Sequence, residues 1–293
     1  MTDAQSDLVL RAITDDDSFR VITTDTTHTV LGACSAQGLV GNEARQLAEL
    51  LTGTILFRET MSPDLRVQGI VRNATGEWQL VGDSHPSGDT RGLVTRPESA
   101  PPLALGPGSA LRMLRTLPDG RINQGVVEIP APYRISTALM AYMHSSEQIV
   151  SMVAVGTLLD EQGAITRAGG YLVQLIPGAK QGPLMVMTER LQQFEELEPL
   201  LARPEFSPKW LMEELLFGMG YCQLHEAHVR FNCWCDEQRV LGALATLPAG
   251  DLDSLMESAE PLEIDCDYCH RPYRISPEQL AGLRLGTQTS SSN

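Results

Sequence analysis

Four cysteines in two tight pairs constrain this chain more than any other feature. Residues 231–238 read FNCWCDEQ, with Cys233 and Cys235 one residue apart, and 265–270 read DCDYCH, with Cys266 and Cys269 two residues apart. The pairs are separated by the thirty residues Asp236 to Asp265. A Cys-x-Cys pair is a poor scaffold disulfide. The bridge wants Cα atoms about 4.4–6.8 Å apart, two extended steps span up to about 7 Å, and closing it bends the backbone. Two such pairs make better sense as thiolates aimed at one ion. Four soft sulfurs suit tetrahedral zinc, and a closed four-sulfur shell leaves no position for a substrate, so the expected metal is one structural Zn2+ per chain.

Charge narrows the partners. Thirty-seven acidic residues against twenty-two basic ones give a formal charge of −15, the wrong sign for gripping phosphate backbones, so nucleic acid is not expected. The opening MTDAQSDLVLRAITDDDSFR lacks an apolar signal core, and the longest nearly apolar run, IVSMVAVGTLL at 149–159, falls short of the ~20 residues of a membrane span. The expectation is a soluble, cytoplasmic protein without a membrane partner, whose six cysteines are thiols, ligands or redox groups. Neither a GxxxxGK[ST] loop, a strand-coupled GxGxxG nor a GxSxG elbow occurs, so no catalytic residues are assigned.

The patterning reads as α+β. SFRVITTD (18–25) suits a strand. Residues 41–60 suit a helix, with Ala44, Leu47, Leu51 and Ile55 at helical spacing and Asn42 as N-cap. Leu65, Val67 and Val71 share a strand face, and a turn at 73–76 leads into EWQLVG. Pro118-Asp119-Gly120 turns a second hairpin, 96–109 is too Pro-rich for a central strand and reads as a surface loop, a helix starts near Ser136, and two strands follow. From 182 onward Leu191, Phe194, Leu197 and Leu201 form one helical stripe; a further helix starts at Ser207-Pro208 and carries Trp210, Leu211, Leu215 and Met219. These helices are either ordinary core or a connector whose apolar face is conditionally buried. The last 63 residues offer short helices around Val240–Leu244 and Leu252–Met256, and a capping box of Ser276 and Gln279. A unit of that size needs a staple, which structural zinc supplies.

Other candidate groups are weaker. Cys34 reads as a small buried residue. Cys222, His225 and His228 recur at three-residue intervals and could form a second metal cluster, but HEAH is one residue short of the H-E-x-x-H spacing. His28, His85 and His144 show no evident partners, and Asp15–Asp17 look like solvated surface. His270 could compete as a nitrogen ligand, although four thiolates already complete the shell.

FNCWC, CDYC, their spacing, SSEQ (145–148), GGYLVQLIPGA (169–179), ALATLPAGDLDSL (243–255) and IDCDYC (264–269) together resemble the thirty-three-kilodalton heat-shock chaperone family, the redox-regulated zinc holdases. The resemblance covers nearly the whole chain and is most specific at the cysteines; Trp234 and His270 depart from it. It implies an N-terminal α+β domain of antiparallel sheets packed with helices (1–181), a helical linker (182–230) and a C-terminal four-cysteine zinc domain (231–293). It further implies a holdase without ATP, inactive when reduced and zinc-bound. Oxidation would form Cys233–Cys235 and Cys266–Cys269 disulfides, release zinc, unfold the zinc domain and linker, and permit homodimerisation and capture of unfolding client proteins. Client-binding candidates are Leu191, Phe194, Leu197, Trp210, Leu211 and Leu215. Two rival readings are a constitutive zinc-ribbon interaction module and an enzyme using the surface of the N-terminal domain.

Overall fold

The run LAELLTGTILF lies within an eighteen-residue helix, Gly41–Arg58, on which Leu47, Leu50, Leu51, Ile55, Leu56 and Phe57 are all buried. A helix apolar on so many sides belongs between layers. The computed structural model, which describes residues 6–97, 103–256 and 260–290, has two compact units, Met1–Asn232 and Cys233–Asn293.

In the first unit the order is β1 (Asp7–Thr14), β2 (Phe19–Asp25), α1 (Thr27–Ala36), α2 (Gly41–Arg58), β3 (Arg66–Arg72), β4 (Gln79–Ser84), β5 (Asp89–Thr95), β6 (Ala110–Thr116) and β7 (Ile122–Glu128). There follow α3 (Ile135–Tyr142), β8 (Ser151–Leu159), β9 (Ile165–Leu175), α4 (Gln181–Gln193), α5 (Glu198–Leu201), α6 (Pro208–Leu215) and β10 (Tyr221–Phe231). Ten strands among the described residues form one sheet in the order β7-β6-β3-β4-β5-β10-β1-β2-β9-β8. It consists of two antiparallel halves, and β10 joins them: antiparallel to β1 along its length, it meets β5 in parallel through only Arg230↔Asp89 and Phe231↔Thr90.

A row of glycines lets α2 approach the sheet. Gly69, Gly82 and Gly92 pair side by side across β3, β4 and β5. A Cβ at Gly69 would stand 2.6 Å from Thr54 Oγ1, and one at Gly82 2.9 Å from the same atom. Strand alternation then divides the apolar residues. Val9, Ile22, Val155 and Leu172 join the core around α2, whereas Leu10, Ala12, Phe19, Val21, Ala154, Tyr171 and Val173 face a second apolar layer covered by α4, α5 and α6.

Polar bonds fasten that covering segment to the sheet. The Tyr171 hydroxyl donates to Phe194 O at 2.9 Å and Thr23 Oγ1 to Pro208 O at 2.8 Å. Arg167, on β9, donates to the carbonyls of Leu201 and Arg203, while Arg190, on α4, donates to those of Leu215 and Phe217 and holds the covering segment together; both guanidiniums satisfy carbonyls that helix ends leave open.

The structure differs from sequence expectation at four places. Val40, not Asn42, occupies the N-cap of α2; Asn42 lies in the first turn and donates to Leu103 O at 2.9 Å. Residues 98–102 of the expected surface loop lie outside the described residues, while Leu103 is buried against the α2 core. The stripe from Leu191 to Leu201 is not one helix. It breaks after Gln193 because Pro199, in the first turn of α5, cannot continue a helix from its N-terminal side. Residues 221–230, placed in a helical linker by resemblance, are strand β10, with Val229 buried and Ala227 and Phe231 packed on the α2 core.

The second unit contains α7 (Glu237–Leu244), α8 (Ala249–Met256), the antiparallel pair β11 (Leu262–Asp265) and β12 (Pro272–Ile275), and α9 (Pro277–Ser290). The capping box is present: Ser276 N–H donates to Gln279 Oε1 at 2.9 Å and Gln279 N–H to Ser276 Oγ at 3.3 Å. Its apolar cluster is built on buried Leu244, Ile275 and Leu280, too little for sixty residues to fold on unaided. Among the described residues no helix is long and apolar enough to cross a membrane.

Candidate metal centre

Backbone geometry brings the four sulfurs together. Cys233 and Cys235 lie on an irregular segment that ends at Asp236, which caps α7 by accepting from Arg239 N–H at 2.8 Å. Cys266 and Cys269 sit on the turn between β11 and β12, where Asp265 pairs with Pro272. Cys266 N–H donates to Arg271 O at 3.0 Å and His270 N–H to Cys266 O at 2.8 Å. Closing this knuckle puts His270 in the left-handed region at φ 52°, where glycine costs least.

The four Sγ atoms all lie within 4.8 Å of one another. Cys233 and Cys266 are 3.7 Å apart and Cys235 and Cys269 3.4 Å. These separations are well beyond a disulfide bond of about 2.05 Å, and all four cysteines are free. They are close to the roughly 3.8 Å edge of a tetrahedron of thiolates around zinc at about 2.3 Å. The donor set therefore fits a zinc ion, which would be held by Cys233, Cys235, Cys266 and Cys269 and would supply positive charge for their thiolates. The neighbouring sulfurs compete for protons. Burial raises both Cys235 and Cys269, yet Tyr273 and the neighbouring sulfurs stabilise the Cys235 thiolate and bring it to about 7, while hydrogen bonding to Cys235 helps hold Cys269 up at about 12. Tyr273, overlooked in the sequence, is signalled only by its place in the strand after the knuckle.

The other candidates part company. Among the described residues no second metal cluster exists, and Cys222, His225 and His228 lie exposed along β10. Cys34 is buried in the α2 core, and burial pushes its thiol up to about 12. His28 and His85 have partners after all: His28 Nδ1 lies 2.9 Å from Asp7 Oδ1, and His85 Nδ1 2.9 Å from Ser87 Oγ. His144 is exposed. The six apolar candidates all belong to the second core layer: Leu197, Leu211 and Leu215 are fully buried there, and Leu191, Phe194 and Trp210 pack against it partly buried.

The protein-family model described as Hsp33 protein matches residues 7–276, which includes the whole sheet and all four cysteines. The chain belongs to the Hsp33 family. Relatives named 33 kDa chaperonin agree with the Hsp33 assignment along most of their length. One from Syntrophotalea carbinolica is 29% identical over 286 residues, covering 94% of this chain and 99% of its own. Another, from Symbiobacterium thermophilum, is 30% identical over 252 residues, covering 82% and 84%. The crystal structure of the Thermotoga maritima 33 kDa chaperonin, a heat shock protein 33 homolog, superposes with a TM-score of 0.82 at 22% identity, covering 98% of this chain and 99% of that one. The Hsp33 fold, a large sheet with packed helices, is thus shared, and the family is one of chaperones.

Proposed function

We propose that this chain is a redox-switched holdase, inactive when the four cysteines hold one Zn2+ and active when they are oxidised. The observation that carries the reading is the convergence of Cys233, Cys235, Cys266 and Cys269 in a unit with a minimal apolar core. In such a unit, metal binding free energy, about 10–16 kcal/mol in zinc-finger peptides, is folding free energy. The ligands are also the oxidisable form of cysteine. Each thiolate pair gives two electrons to a peroxide, the S–S bond forms as the O–O bond breaks, and two waters leave once two protons are taken up. The proposed pairs are Cys233–Cys235 and Cys266–Cys269. Both bridges remove thiolate donors, so the ion and its stabilisation are lost together, and the strained Cys-x-Cys bridge is readily reduced again.

Client capture follows from the second core layer. Undocking the segment that carries α4, α5 and α6, wholly or in part, would uncover Leu191, Phe194, Leu197, Trp210, Leu211 and Leu215 together with the sheet face they cover, a patch of the kind that binds other unfolded chains. The oxidised chain would dimerise and act in the cytoplasm without ATP, and its −15 charge would keep loaded complexes apart. Light scattering of a heat-unfolded client tests the reading. Peroxide-treated protein is expected to suppress the signal at near-stoichiometric ratios and the reduced, zinc-loaded protein is not; equal suppression by both would overturn the switch.

A further inference from the structure

The sheet is covered unequally on the side away from α2. Over β1, β2 and β9 that side carries α4, α5 and α6. Over β3–β7 the helices that pack on the strands, α1, α2 and α3, lie on the opposite side, where Gly69 and Gly82 meet Thr54 and Gly125 meets Tyr142. Register orders the face they leave bare: Val126, Arg112, Ile70, Val81 and Leu93 stand side by side across β7, β6, β3, β4 and β5. Strand alternation turns all five to that face. Val126 is 54% exposed, and Ile70, Arg112 and Leu93 are half-buried. Arg112 thus interrupts an apolar row with a cation.

The carboxylates on this face are already engaged. Asp83 is fully buried and takes Arg66 at 2.6 Å and Arg91 at 3.1 Å, Asp89 takes Arg230 at 2.8 Å, and Glu128 accepts from Gly108 N–H at 3.2 Å. Arg72 donates only to the neutral Gln79 side chain, and Arg112 makes no hydrogen bond or ion pair among the described residues. A half-buried guanidinium between Ile70 and Val126 gives up hydration without gaining a carboxylate. The surplus on this face is cationic, in a chain whose net charge is −15. We propose that the bare face of β3–β7 docks an acidic, apolar segment of a partner polypeptide, a carboxylate meeting Arg112 and apolar side chains lying on Ile70, Leu93 and Val126. Nucleic acid fits less well, because an apolar row offers phosphates nothing and the rest of the chain repels them. A second copy meeting face to face would set the two cationic surfaces against each other. The face is separate from the layer beneath α4, α5 and α6, so docking requires neither oxidation nor loss of zinc.

Fluorescence anisotropy with the full-length reduced, zinc-loaded protein tests this. The probe is a fluorescein-labelled peptide repeating Leu-Thr-Glu-Thr, whose extended form puts leucine and glutamate on one face. Its controls carry lysine in place of glutamate or serine in place of leucine, and a labelled oligothymidylate serves as the nucleic-acid control. Saturable binding of the acidic peptide is expected, with the serine peptide roughly tenfold weaker or worse and the lysine peptide and oligothymidylate not bound. Arg112→Glu should weaken binding roughly tenfold or more, and Arg112→Gln, which removes the cation without adding a like charge, should weaken it in the same direction. Lys180→Glu, at the N-cap of α4, makes the same change in net charge as Arg112→Glu and should shift affinity less than about twofold. Circular dichroism confirms that each variant is folded. Lack of saturable binding, comparable binding of any control, unchanged affinity in either folded Arg112 variant, or an equal loss in Lys180→Glu would each overturn the assignment. So would a dimer of the reduced protein that Arg112→Glu abolishes, since the face would then belong to a second copy.

Discussion

The Tyr171 hydroxyl, on a strand in the middle of one half of the sheet, donates to the carbonyl of Phe194 at the point where α4 ends, at 2.9 Å. The bond joins the sheet to the segment that covers its second apolar face, at the break that Pro199 imposes. Tyr171→Phe keeps the ring and loses only this bond, which costs about 0.5–1.5 kcal/mol. Hydrogen exchange of residues 190–201 in the reduced protein should speed up roughly threefold to tenfold, with little change in the α2 core.

Gly69 has no room for a side chain. A methyl group there meets Thr54 Oγ1 at 2.6 Å and Leu50 Cδ1 at 3.1 Å, so Gly69→Ala forces α2 off β3 and should cost about 1–3 kcal/mol in urea unfolding. Gly76→Ala tests a different cost in a turn: its Cβ would have open space around it, but its φ of 72° disfavours a side chain, so a loss of about 1 kcal/mol is expected without loosening of the core.

Two cysteines outside the quartet should differ sharply in reactivity. Cys34 is buried with its thiol pushed up to about 12, whereas Cys222 is exposed on β10. Iodoacetamide at pH 8 followed by peptide mass spectrometry should modify Cys222 within minutes and leave Cys34 untouched until the protein is denatured.

Glu49 makes stability fall as pH rises. Its folded-state carboxyl titrates at about 8 against an ordinary 4.5, so between these values the folded protein holds a proton that the unfolded chain has released. Stability from this group is fully present below about pH 4.5 and is lost progressively up to about pH 8. Comparing urea midpoints of wild type and Glu49→Gln isolates it from other groups: wild type should weaken relative to the variant from pH 5 to pH 8, and parallel curves would contradict the assignment.

The sequence revealed what local spacing controls. Two cysteine knuckles, the Ser207 cap that accepts from Trp210 N–H, and the Ser276–Gln279 capping box depend on residues a few positions apart, and all form. The content of the second apolar layer was equally legible, since Leu191, Phe194, Leu197, Leu211 and Leu215 do pack together. What escaped was non-local. Strand β10 is mostly exposed, shows no apolar alternation and pairs with β1 more than two hundred residues away, so neither its type nor its role as the join between two half-sheets could be read from CQLHEAH. Glu49 escaped too, although a lone carboxylate inside LAELLTGTILF is a visible anomaly; its raised pKa comes first from burial and then from Glu198, which lies far from it in the sequence.

The most direct test of the switch is zinc released per chain, followed with a chromogenic chelator in the same peroxide-treated sample in which client protection is measured. One equivalent should leave in step with formation of the Cys233–Cys235 and Cys266–Cys269 bridges, and protection should appear with it. Full client protection while zinc stays bound, or complete zinc loss with no gain in protection, would contradict the account.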